Sequence, residues 1–169
     1  MKIKLFITMM IAVSLFSMAY SQTHKGNWIV SGNSSFQVSS TTPEGGDAST
    51  TVTLSPSIGY FVANNLAIGA SVSLQSTEGT TVYSILPTAS YYFETQSQIK
   101  PFVDLGLGYA NISADGDNFG GLALGAGAGI VYLFNQNVGL NVGLQYLRND
   151  FDVGVINTFG GMMGFSIFF

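Results

Sequence analysis

Side chains able to carry out chemistry are few in this sequence. It contains one histidine, His24, and no cysteine. That removes thiolate nucleophiles, disulfides, a lipid-anchoring cysteine and thiolate metal sites together. Nucleophilic catalysis needs a base beside its nucleophile. His24 stands in the polar stretch Gln22-Thr23-His24-Lys25 and reads as a solvated tail residue. No catalytic residue is assigned, and no enzyme activity is expected. Seven acids, Glu44, Asp47, Glu78, Asp115, Asp117, Asp150 and Asp152, fall in polar stretches between apolar runs. Asp115-Gly116-Asp117-Asn118 offers hard oxygen ligands, but not at the spacing of an EF-hand. Asp115 and Asp117 are therefore weak metal candidates, no metal site is assigned with them, and no cofactor is expected. Asp104 differs from the others, because Val103, Leu105, Leu107 and Tyr109 flank it at odd positions. It is the one charge that the pattern places inside the fold, where hydroxyls, amides and water would have to hold it.

The elements that position Asp104 follow a period of two. Trp28, Val30, Gly32, Ser34, Phe36 and Val38 lie on one face of a first strand, with Ile29, Ser31, Asn33, Ser35 and Gln37 on the other. Seven more strands repeat the alternation through Val52–Tyr60, Leu66–Leu74, Tyr83–Phe93, Val103–Tyr109, Leu122–Phe134, Val138–Tyr146 and Phe159–Phe169. The intervening positions are mostly Gly, Ser, Thr, Ala, Asn and Gln. One large apolar face and one small or polar face suit a closed barrel in lipid, since an open edge would leave backbone groups unpaired in hydrocarbon. Connections near 39–50, 76–80, 111–118 and 148–157 read as mostly long and acidic. Those at 62–65, 94–100 and 135–137 read as shorter. Proline cannot donate to a ladder, so bulges are expected at Pro56 and Pro87.

The composition agrees with a lipid-facing wall. Only 8% of residues are charged, against about 25% in a soluble domain. Lys2 and Lys4, the apolar run Leu5–Met18 and the small residues of Ala19-Tyr20-Ser21 make residues 1–21 a secretory signal peptide. Residues 22–169 then form the barrel domain. Without the leader, three basic residues stand against nine acidic ones, a net charge of −6. That gives no footprint for nucleic acid. The outward aromatics gather at two heights. Trp28, Tyr60, Tyr91, Phe93, Tyr132, Phe134 and Phe169 share one end, while Phe36, Tyr83, Tyr109, Tyr146 and Phe159 lie nearer the other. Aliphatic residues fill the band between, as in a membrane barrel.

The last strand carries the most specific resemblance. Met163, Phe165, Ile167 and a terminal aromatic, Phe169, recur at every second position. With the alternation before them, they make the chain from about Asn27 to Phe169 resemble the small eight-stranded, porin-like outer-membrane β-barrels of Gram-negative bacteria. The resemblance implies an all-β, antiparallel up-and-down transmembrane barrel. It also implies that Met163, Phe165, Ile167 and Phe169 act as the signal read by the barrel-assembly machinery.

Inside such a barrel, Ile29, Phe61, Tyr92, Phe102, Leu133 and Phe168 are expected to stack into a floor at the periplasmic end. Nine inward glycines, among them Gly106, Gly125, Gly129 and Gly143, line strands five to eight. They are read as serving curvature and close packing ahead of a binding cavity. The expected function is a structural or surface-interaction role in the outer membrane, with periplasmic termini and four acidic extracellular loops. A narrow conduit for small or apolar solutes is the alternative. Expected partners are outer-membrane lipid and lipopolysaccharide, the latter bridged to the acidic rim by divalent cations, the assembly machinery, and an extracellular partner of the loops.

Overall fold

A computed structural model describes residues 22–41, 49–77, 80–114, 117–151 and 154–169. Residues 1–21, and with them the expected signal peptide, lie outside the described residues. So do Glu44, Asp47, Glu78, Asp115 and Asp152, and Asp117 is described through its backbone alone. Eight strands follow one another: β1 (Trp28–Thr41), β2 (Ser49–Ala63), β3 (Leu66–Thr77), β4 (Thr80–Tyr92), β5 (Ile99–Ala114), β6 (Asp117–Leu133), β7 (Val138–Phe151) and β8 (Gly154–Phe168). Each pairs antiparallel with the next, and β8 pairs with β1 to close the barrel. Closure leaves no strand edge, which is the condition for a sheet to exist in lipid.

The alternation translates directly into facing. Along β8, Gly161, Met163, Phe165 and Ile167 are exposed, while Gly160, Met162, Gly164, Ser166 and Phe168 are buried. Leu105 is 65% exposed and Phe165 58%. Large apolar side chains this bare, all around a closed wall, make the outside of the molecule its apolar side. At the end carrying the start of β1 and the finish of β8, outward rings pair. Trp28 and Tyr60 have centroids 5.1 Å apart, Tyr91 and Phe93 5.1 Å, and Tyr132 and Phe134 5.5 Å.

Two sequence expectations are corrected. The connections at the far end are not mostly long. Seven residues, 42–48, separate β1 from β2, but only two separate β3 from β4, β5 from β6 and β7 from β8. The ladders run on to Thr77↔Thr80, Ala114↔Asp117 and Phe151↔Gly154. Strands of 12 to 17 residues thus exceed the roughly 9–11 needed to span a bilayer. Their excess is mostly polar on the outward face, so it lacks the large outward residues that mark a strand in sequence. At the terminal end, Asn64-Asn65 makes a two-residue turn, with Asn65 at φ 67°, a conformation that asparagine tolerates better than most residues.

Nor does either proline carry a bulge. Register is unchanged across both, and only two rungs are missing, on one side of each proline. One gap lies between Leu54↔Leu74 and Ser57↔Ser71, the other between Ile85↔Tyr109 and Thr88↔Gly106. The absent N–H interrupts a ladder that its neighbours hold in line. The register shift in β2–β3 falls instead at Phe61/Ala63, just before the Asn64-Asn65 turn.

Candidate functional site

The inward side chains build three layers. At the terminal end, Ile29, Phe61, Tyr92, Phe102, Leu133 and Phe168 come together in one buried cluster, completed by Ala67, Val131 and Met162. The first six come from strand ends at the same level, one from each of six strands, and Ala67 of β3 brings the strands that contribute to seven of the eight. Phe61 lies 5.6 Å from Tyr92 and 6.5 Å from Phe168, centroid to centroid, and Tyr92 lies 5.8 Å from Phe102. Nearer the far end is a second apolar layer that the sequence reading missed. Leu86, Ala110, Ala123 and Phe151 are buried together, with Val82, Ile112, Leu147 and Ile156 against them. Its signal was weak because small alanines carry much of it, beside glycines that make room. A Cβ on Gly106 or Gly125 would stand 3.1 Å from Leu86 Cδ2.

Between the layers lies a polar chamber of about 130 Å3. Its hydroxyl wall comes from β1 to β4: Ser31, Ser55, Ser57, Ser71, Ser73, Ser84, Thr88 and Ser90. Asp104, Asn141 and Gln145 face into it from β5 and β7. The chamber leans on the serine-bearing strands, while the glycines of β5 to β8 mostly permit close approach. At Gly108 an added Cβ would meet Ile85 O at 2.1 Å, and at Gly143 it would meet Ala128 O at 2.5 Å.

The β8–β1 closure is stitched from inside. Ser31 and Ser166 share a hydrogen bond of 2.6 Å between their hydroxyls. Asn141 Nδ2 donates to Asn33 Oδ1 at 3.0 Å and to Ser166 Oγ at 2.8 Å. One amide thus ties β7, β8 and β1 together. Removing it strands polar groups in a buried place, which costs about 1–3 kcal/mol. Asn141→Ala is expected to lower the urea midpoint of the folded barrel accordingly. An unchanged midpoint would mean that water replaces the amide.

Other candidate residues are placed as follows. His24 is exposed but pinned, its Nδ1 3.2 Å from Asn64 Oδ1. Its neighbour Thr23 is buried and donates to Asn65 Oδ1 at 2.6 Å, so this segment is docked against the β2–β3 turn and is not a free tail. Lys100, counted in sequence as part of a turn, is a buried β5 residue on the inward face. It borders a pocket below the floor with Gln22, Gln98 and Gln136. Asp104 is therefore not the one inward charge, although Phe102 separates the two. Met163, Phe165, Ile167 and Phe169 are exposed along the outer face of the last strand. Phe169 N donates to Trp28 O at 3.0 Å, and Trp28 N to Phe169 O at 2.6 Å. Asp150 pairs with Arg148 at 3.0 Å on the far rim. Among the described residues, no three His, Cys, Asp or Glu side chains group to hold a metal.

The sequence matches the outer membrane protein beta-barrel domain over residues 7–165. No curated protein sequence matches it. Among solved structures, Neisserial surface protein A is similar at a TM-score of 0.73 and 21% identity, covering 85% of this chain and 99% of its own. Ail, the attachment invasion locus protein of Yersinia pestis, gives 0.57 at 16% identity, with 86% and 99% covered. The outer membrane enzyme PagL gives 0.55 at 19% identity, with 80% and 97% covered. Likeness at these identities is one of fold.

Proposed function

Because the chain belongs to the outer membrane protein β-barrel domain family, and so is an integral barrel of a bacterial outer membrane, we propose that it acts through its outward surfaces, as a structural and surface-interaction protein, and not as an open pore. The observation that carries this reading is the apolar floor across the lumen, built around Phe61, Tyr92, Phe102 and Phe168, with a second apolar layer around Leu86 and Phe151 on the β4 to β8 side. An eight-stranded interior is just wide enough for side chains to fill, and at the floor they do so. In this reading the ringed terminal end faces the periplasm and the long hairpins rise from the cell surface. The hairpin rims then take the place of long loops as the contact surface for lipopolysaccharide or an extracellular partner. The aromatic pairs at Trp28, Tyr91 and Tyr132 sit at the lipid interface.

A non-enzymatic role is favoured because His24 is held at the terminal end by Asn64, away from the hairpin rims. Met163, Phe165, Ile167 and Phe169 serve assembly in this proposal, since they present one uninterrupted apolar stripe.

Single-channel recording in planar bilayers tests the reading. The wild type is expected to be silent. Phe61→Ala/Phe102→Ala is expected to conduct, because the floor spans the barrel whereas Leu86, Leu147 and Phe151 stand on β4 and β7 alone. Steady conductance by the wild type would put a solute conduit in its place.

A further inference from the structure

The proposed role leaves the chamber and its carboxylate unused. Asp104 sits on β5 opposite Ser90 of β4 and Gly127 of β6. A Cβ at position 127 would lie 2.6 and 2.8 Å from the two carboxylate oxygens. The carboxylate therefore rests against a bare stretch of β6, and it opens on the chamber. Among the described residues it has no basic partner, the ion pair there being Arg148–Asp150 on the rim. Lys100 shares its strand face but lies beyond Phe102, in the pocket under the floor. A lone carboxylate this deep in a membrane protein needs a counter-charge, a proton or water. Neutral oxygens on Ser57, Ser71, Thr88, Ser90 and Gln145 line the same chamber.

We propose that this chamber binds one partly hydrated monovalent alkali cation, held by Asp104 and by the serine and threonine oxygens facing it. Three features select that ligand class. The donors are hard oxygens, which suit alkali and alkaline-earth cations and not soft metals. One carboxylate neutralises one positive charge, whereas a divalent ion would leave a net charge between two apolar layers, where it is costly. The space of about 130 Å3 holds an ion with a few waters. Gly127 is part of the site, because any side chain there would displace the carboxylate.

The test uses the protein purified folded from membranes. Its thermal unfolding is followed by the loss of the compact electrophoretic form. NaCl is varied against choline chloride at constant ionic strength, so that screening of the acidic rim stays fixed. The wild type is expected to gain thermal stability with Na+ in a saturable way. Asp104→Asn, nearly the same shape without the charge, is expected to lose the dependence. Ser71→Ala/Ser90→Ala is expected to raise the half-saturating Na+ concentration about tenfold, a loss of about 1.4 kcal/mol in binding, and it serves if the Asp104 variant cannot be recovered folded. A wild type indifferent to Na+, or equal dependence in wild type and variants, overturns the proposal. A larger Ca2+ effect in the wild type than in Asp104→Asn overturns the monovalent assignment.

Discussion

Replacing Phe61 with alanine is expected to lower the unfolding free energy by about 3–5 kcal/mol, the range for truncating a fully buried aromatic. Phe61 has no exposed surface and lies in ring contact with Tyr92 and Phe168. Its ring neighbours come from two other strands, β4 and β8, and each strand is fixed by two ladders, so the hole cannot collapse by moving one element. The barrel should still close, because every rung of β2 that depends on backbone alone survives. Urea unfolding in lipid vesicles checks this, with Trp28 as the reporter, since it is the one tryptophan and lies at the interface ring. A loss below about 1 kcal/mol would show that the floor repacks and is not a fixed plug.

The second large effect is expected at Gly129, for the opposite reason. Here a side chain must be absent. Gly129 faces Gly143 across β6 and β7, and a Cβ on it would meet Val142 O at 2.4 Å and Gly143 Cα at 2.8 Å. Both are backbone atoms in a ladder paired on either side, so neither can swing away. Gly129→Ala should cost toward the upper end of the about 1–3 kcal/mol typical of overpacking, and it should slow folding into vesicles. Gly32→Ala is the matched control, for nothing lies within 4 Å of a Cβ there. It should fold as the wild type does. Equal behaviour of the two variants would mean that the close approach of β6 and β7 relaxes at little cost.

These two residues also mark what could be read in the sequence. Phe61 belongs to a floor whose members stand at strand ends with the right parity, so periodicity and residue size together pick them out. Gly129 was readable as a residue of close packing, but its partner was not, because register is a property of two strands. The same limit hid the upper layer. Ala110 and Ala123 look like filler until Leu86 is seen resting over Gly106 and Gly125. Hairpin extensions escaped notice because strand pairing above an apolar belt needs no apolar residues, and Lys100 because a turn ended two residues earlier than its polar composition suggested. Asp104 could be placed inside from its flanks alone. Its lack of a basic partner needed the positions of Lys100 and Arg148.

The inner stitch between first and last strands bears on how the protein can be made. The Ser31–Ser166 bond joins residues 135 positions apart, and β1 finds its second partner only in β8. Closure is therefore a single long-range event that waits for nearly all of the chain. Until then, β1 and β8 are unpaired edges carrying exposed phenylalanine and isoleucine, the kind of intermediate that aggregates. Contacts of such sequence separation also form slowly. The chain must accordingly remain unfolded and shielded throughout its transit, and its yield in the cell should depend on chaperone capacity more steeply than its finished stability would suggest.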